Sequence, residues 1–199
     1  MKKIAIFASG TGSNAMNLLE KAALYPSVQI SCVVVDTAHS QLLQNVARKF
    51  PNVTFYQILP DQELKGSDRK FEHESRVLSR LRQHQIEWIL LAGYMRLIGP
   101  TLLEVFSNHM INIHPSLLPV YPGLNAYERA YADGVSSGVT IHLVDNGMDT
   151  GPIILQRSFA RMKEDSLGDF IQRGKNLEWD LYPEILKKIN DSVSLLQGD

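Results

Sequence analysis

The chain has 199 residues, a formal net charge of −1 and 44% hydrophobic residues. That length supports one substantial core without disulfides or metals, and that charge argues against a nucleic-acid or membrane surface. The single cysteine, Cys32, lies inside the apolar run "ISCVVV", so an intrachain disulfide is excluded and a reducing cytoplasm is expected.

In chain order, strand and helix patterns alternate. "MKK" before "IAIFA" has the charge order of a leader, but the apolar run is too short for one, and 3–8 reads as a first strand covered on both faces. No window is long and apolar enough to span a membrane. "SGTGSN" follows, then a helical pattern from Asn14 to about Leu24. Residues 28–36, rich in β-branched side chains, form the second strand. A helix is expected over about 39–49, a strand over 53–58, and a helix from about Arg69 to His84. Residues 87–93 and 109–114 read as buried strands, with a short helix near 125–133. The pattern then changes. In 138–144, Val139, Ile141 and Leu143 alternate with Thr140, His142 and Val144, and 152–159 follows across the turn "NGMDTG". That predicts an antiparallel pair. Ser166 starts a helix with Asp169 as capping partner, an apolar stripe at Leu167, Phe170, Ile171, Leu177 and Leu181, and a break at Pro183. The fold class is therefore α/β: a doubly wound, mainly parallel, Rossmann-like sheet with a C-terminal antiparallel hairpin and helix.

Two features carry chemistry. Between the first strand and first helix, Gly10 and Gly12 allow tight turns, and Ser13 and Asn14 add donors beside a helix N-terminus. This suits an anion such as phosphate. The same residues also fit G-x-G-x-x-A, with Asp36 ending the second strand, so a dinucleotide oxidoreductase remains a rival on this motif alone. The second feature is "INIHPSLLP" at 111–119. Asn112 and His114 share a strand face and sit near a strand's C-terminal end, where open α/β sheets place ligands. Asn112 suits an oxyanion donor and His114 a proton carrier. Asp149, in the turn "DNGMDTG", would raise the pKa of a nearby His114 and favour imidazolium. His142, mid-strand, reads as structural or supporting, and Ser116 as a turn residue. His39, His73, His84 and His109 lack metal-ligand spacing, and no metal is expected.

"SGTGSN", "AGYMRLI", "NIHPSLLPVYPG", "GVTIHLVDNGMDTGPIILQ" and "LEWDLYP" occur in the order found in the phosphoribosylglycinamide formyltransferase family, which this chain resembles over nearly its whole length. The resemblance implies formyl transfer from 10-formyltetrahydrofolate to the amine of glycinamide ribonucleotide in purine biosynthesis. It implies one formyltransferase domain, 1–199, with a ribonucleotide-binding half (about 1–100) and a folate-binding and catalytic half (about 101–199). Asn112, His114 and Asp149 correspond to the catalytic group. Gly12, Ser13 and Asn14 correspond to the phosphate loop, and Lys175, Asn176, Leu177 and Glu178 to a further ribonucleotide segment. Met95, Arg96, Leu97 and Ile98 correspond to the pterin wall, joined by Asp145, Asn146, Gly147, Met148 and Asp149, with Arg69 or adjacent Lys70 as a basic folate contact. The expected partners are small molecules, not nucleic acid or membrane, acting on a monomer or homodimer. The chain departs from the family at Trp179, where histidine is usual, in "LNAYERA" and in "DTAHSQ". The closest rival is a 10-formyltetrahydrofolate hydrolase, in which water replaces the amine.

Overall fold

In the computed structural model, residues 1–38, 40, 42, 46 and 49–196 are described. A seven-stranded sheet forms the centre, in the order β3-β2-β1-β4-β5-β6-β7. Its strands are β1 (Lys2–Ala8), β2 (Val28–Val35), β3 (Thr54–Gln57), β4 (Trp88–Leu91), β5 (Met110–His114), β6 (Ser137–Leu143) and β7 (Ile153–Phe159). The first five pair in parallel, and β6 and β7 are antiparallel. The helices are α1 (Ser13–Ala22), α2 (Gly66–Gln83), α3 (Pro100–Leu103), α4 (Ala126–Ala132), α5 (Leu167–Leu181) and α6 (Pro183–Asn190). The expected helix over about 39–49 lies largely outside the described residues.

Period-two alternation sorts the strands onto two cores. Ile4, Ile6 and Ala8 of β1 face one core with Leu18, Ile111, Ile113 and Ile185, whereas Ala5 and Phe7 face the other with Val77, Leu81, Ile89 and Met110. In β2 the parity switches partway. Val28 and Ile30 share a face with Val33 and Val35, because the register against β1 jumps from Ile30 to Cys32. Ser31 is the extra residue of this bulge. Cys32 is fully buried, and burial pushes its thiol up to about 12, which leaves it unreactive.

Strands β6 and β7 form the expected antiparallel pair. Strand β6 is buried along its length: Val139, Ile141 and Leu143 face the core, and His142 on the other face reaches the cavity described below. Other expectations are corrected. The helix expected from Arg69 begins at Gly66, and the short helix α3, with Pro100 at its first position, was not foreseen. On α5, Ser166 and Asp169 form the expected capping box, but Leu167 is exposed and the buried positions are Phe170, Gly174 and Leu181.

Tyr182 joins α5 to α6. Its ring is fully buried and its hydroxyl donates to the Leu91 carbonyl at 2.8 Å, with the Ile111 carbonyl at 3.3 Å. It ties the C-terminal helices to the ends of β4 and β5, where the site is built. Tyr182→Phe should cost about 1–2 kcal/mol in urea unfolding; an unchanged midpoint would mean that the hydroxyl adds nothing to that tie.

Candidate active site

The C-terminal ends of β4 and β5 open into a cavity of about 410 Å³. One wall is Met95, Arg96, Leu97 and Ile98, another is Asp145, Gly147, Met148 and Asp149, and Asn14 and Glu178 close one side. Asn112 and His114 lie on its floor. They project from one face of β5, opposite to that of Ile111 and Ile113. Across the antiparallel pairing, Asn112 stands opposite His142, and His114 opposite Thr140.

This register gathers the chemistry. Asp149 Oδ2 lies 3.2 Å from His114 Nδ1 and accepts the Gly123 amide at 2.8 Å. Asp149 Oδ1 lies 3.4 Å from Asn112 Nδ2 and 3.6 Å from His142 Nε2. Asn112 Nδ2 is 3.2 Å from His142 Nε2, and His142 Nδ1 is 2.7 Å from the Leu143 carbonyl. A proton on Nδ1 therefore leaves the His142 Nε2 lone pair to accept from the Asn112 amide. His142 is thus placed as an orienting partner of Asn112, the supporting one of the two roles the sequence left open. Its position opposite Asn112 follows from strand register, which residue spacing does not reveal.

Burial opposes the charge on Asp149. His142 beside Oδ1, with the Gly123 amide and His114 Nδ1–H on Oδ2, outweighs it and holds the carboxyl at about 2. For His114 the balance reverses. Burial pushes its pKa below the ordinary histidine value, and the Tyr121 carbonyl, 2.9 Å from Nε2, and Asp149 only partly offset this. The expectation that Asp149 raises the ring above its usual pKa is therefore corrected. The loop after β5 folds over the ring, leaving it 4% exposed, and desolvation wins. Both ring nitrogens nonetheless face acceptors, so a transient imidazolium is stabilised at each end.

The residues expected to form a phosphate loop lie between β1 and α1, and of them Asn14 lines the cavity. Gly12 caps α1 at φ +75°, and a side chain there would collide with Leu42. Ser13 opens the helix. Asn14 is buried, and its Nδ2 donates to Glu178 Oε2 at 2.6 Å. Glu178 Oε1 accepts from the Tyr127 hydroxyl at 2.8 Å. Asp36, which a dinucleotide site would need for a ribose, is 3% exposed and paired to Arg96 Nε at 2.6 Å. The carboxylate is committed to the protein, which removes the main support for an oxidoreductase.

Other expected residues are more distant. Arg69, on α2, donates to the Leu64 and Gln62 carbonyls and does not line the cavity. Asn146 is exposed in the turn whose neighbours line the cavity, and Lys175 and Asn176 are exposed on α5. Leu177 packs partly against the core. Ser116 donates to the Val120 carbonyl at 2.6 Å within its turn, as expected of a turn residue. Trp179 is half-buried and accepts at its carbonyl from Asn17 Nδ2.

The sequence model of the formyl transferase family matches residues 2–186. The chain belongs to the formyl transferase family. A phosphoribosylglycinamide formyltransferase of Bacillus subtilis is 39% identical over 192 residues, spanning 95% of this chain and 95% of its own. The crystal structure of phosphoribosylglycinamide formyltransferase from Bacillus halodurans superposes with a TM-score of 0.84 at 39% identity, over 94% of this chain and 95% of that one. A formyltetrahydrofolate deformylase of Pseudomonas syringae shares the fold at a TM-score of 0.83 and 26% identity, over 96% of this chain and 62% of that one. No helix among the described residues of this formyl transferase is long and apolar enough to cross a membrane. Among those residues, no group of three or more His, Cys, Asp or Glu is arranged to hold a metal.

Proposed function

We propose that the chain transfers a formyl group from 10-formyltetrahydrofolate to the amine of glycinamide ribonucleotide, a step of purine biosynthesis, in the cytoplasm. The observation that carries this reading is the Asn112, His114 and Asp149 cluster on the floor of a largely apolar cavity, in a chain of the formyl transferase family. The reduced folate lies against Met95, Arg96, Leu97 and Ile98 and under the 145–149 turn, with Arg69 at the outer end of its path. The ribonucleotide phosphate lies at Gly12, Ser13 and Asn14, and Lys175, Asn176, Leu177 and Glu178 flank the acceptor. Residues of both halves serve both substrates, so the division near residue 100 is one of sequence more than of binding.

The reaction proceeds by direct transfer. The amine forms a bond to the formyl carbon, and the carbonyl electron pair moves to oxygen. The Asn112 amide turns from His142 and Asp149 to donate to that oxyanion. His114 starts neutral, because burial depresses its pKa. With Nδ1–H held on Asp149, the Nε2 lone pair takes the proton of the attacking nitrogen, and the Tyr121 carbonyl, 2.9 Å from Nε2, accepts from the N–H so formed. The intermediate collapses, the bond from the formyl carbon to the folate N10 breaks, and N10 takes both the electron pair and the proton from His114. Protons and charge balance, and the ring returns neutral.

Folate deformylation, followed with and without glycinamide ribonucleotide, tests the reading. Turnover should require the ribonucleotide; equal rates without it would make the protein a hydrolase. The phosphate loop is tested separately. Asn14→Asp sets a carboxylate against Glu178 and against the incoming phosphate. The KM for the ribonucleotide should rise by about a hundredfold while that for the folate holds. NADH should show no saturable binding, because Arg96 occupies Asp36. An unchanged ribonucleotide KM would remove the loop from the site.

A further inference from the structure

We infer that Tyr127 is a positioning residue for acceptor binding: it is seated in a slot that Gly174 opens on α5, and from there it aims the Glu178 carboxylate at the ribonucleotide. The inference rests on the proposed acceptor role of Glu178.

Tyr127 is 6% exposed on α4, and its ring packs edge-on against Phe159 and Phe170, with centroids 5.9 and 6.3 Å away. It does not line the cavity. Its hydroxyl donates to Glu178 Oε1 at 2.8 Å, and Asn14 Nδ2 donates to Oε2 at 2.6 Å. Each carboxylate oxygen thus receives one donor from the protein and retains lone-pair capacity for a hydroxyl or amine of the acceptor. Two donors also fix the carboxylate plane, which a single contact would leave free to rotate.

Gly174 makes this possible. It lies one helical turn before Glu178, on the same face. A β-carbon there would collide with the Tyr127 Cζ and hydroxyl. A glycine in a helix interior costs stability relative to alanine, yet here it lets a tyrosine hydroxyl reach along the helix to the next turn. Burial pushes the Glu178 pKa above the ordinary carboxylate range, and the hydrogen bonds from Asn14 and Tyr127, with the charge of Lys175, offset part of that rise.

The alternative is a core tyrosine whose hydroxyl merely uses a convenient partner. Steady-state kinetics of Tyr127→Phe, Glu178→Gln and the double variant separate the two. Tyr127→Phe keeps the ring packing, so the fold should persist. The KM for the ribonucleotide should rise by about tenfold, as for one lost hydrogen bond to a charged group. The KM for 10-formyltetrahydrofolate should not move. On the Glu178→Gln background the same change should shift the ribonucleotide KM by less than about twofold, because the residue acts through Glu178. An unchanged KM in Tyr127→Phe with a raised one in Glu178→Gln overturns the positioning role and leaves Glu178 in place. Additive effects overturn it likewise, since Tyr127 would then act independently. An unchanged KM in Glu178→Gln overturns the acceptor role of Glu178, and the inference falls with it.

Discussion

Asn112→Ala should lower kcat by about 10²–10³-fold, with the KM values of both substrates nearly unchanged. The side chain sits at the C-terminal end of β5, where its amide nitrogen is 3.2 Å from His142 and 3.4 Å from Asp149. These contacts are long enough for the amide to re-aim at an oxyanion, and they exist in the ground state for orientation. The oxyanion appears only during reaction, so the loss falls on kcat. His142→Ala should give a smaller loss of the same kind, because it removes the partner that orients the amide. A rise in KM without a fall in kcat would make Asn112 a binding residue only. Rapid-quench single turnovers measure the chemical step itself and exclude a masking by product release.

Asp149→Asn should cut kcat at neutral pH by about a hundredfold and move the acid limb of the pH–rate profile downward. His114 must start neutral to accept the amine proton, so the rate falls as pH drops through the ring pKa, which burial sets below the ordinary histidine value of 6.5. Removing the anion lowers that pKa further, since the charged ring loses an attractive partner. The neutral form then persists to lower pH, and the limb follows. The plateau falls because the transient imidazolium lacks its carboxylate. Asp149 itself, held at about 2, stays ionised across this range and cannot supply the limb. NMR titration of the His114 ring in both proteins gives the same pKa without turnover. A limb that stays in place, with a plateau near wild type, would reduce Asp149 to a turn residue.

Sheet and helix order was legible because each element carries its own period. The runs at β1, β2 and β4 are largely apolar on both faces, and the capping box at Ser166 and Asp169 marks α5. The floor pair was legible for the same local reason, since Asn112 and His114 are two apart on one strand. What escaped depends on contacts between elements. The bulge at Ser31 is visible only against β1, and the pairing of His142 with Asn112 only through the register of β5 and β6. The slot that Gly174 opens for Tyr127 exists only once α4 and α5 pack together. The direction of the His114 pKa was misread because a nearby carboxylate can be inferred from sequence, whereas the burial that outweighs it comes from the folded loop carrying Tyr121. The commitment of Asp36 to Arg96 likewise needed the fold, and it separates this glycine loop from a dinucleotide site.

The central claim is direct transfer to an amine at this cluster. A single turnover with isotopically labelled formyl group on 10-formyltetrahydrofolate, quenched over time with and without glycinamide ribonucleotide, tests it most directly. The account predicts that the label passes one-to-one into the ribonucleotide, that none is found on the protein, and that donor alone releases no formate on the turnover timescale. Formate released at the same rate in both arms, or label fixed covalently to the chain, would contradict it.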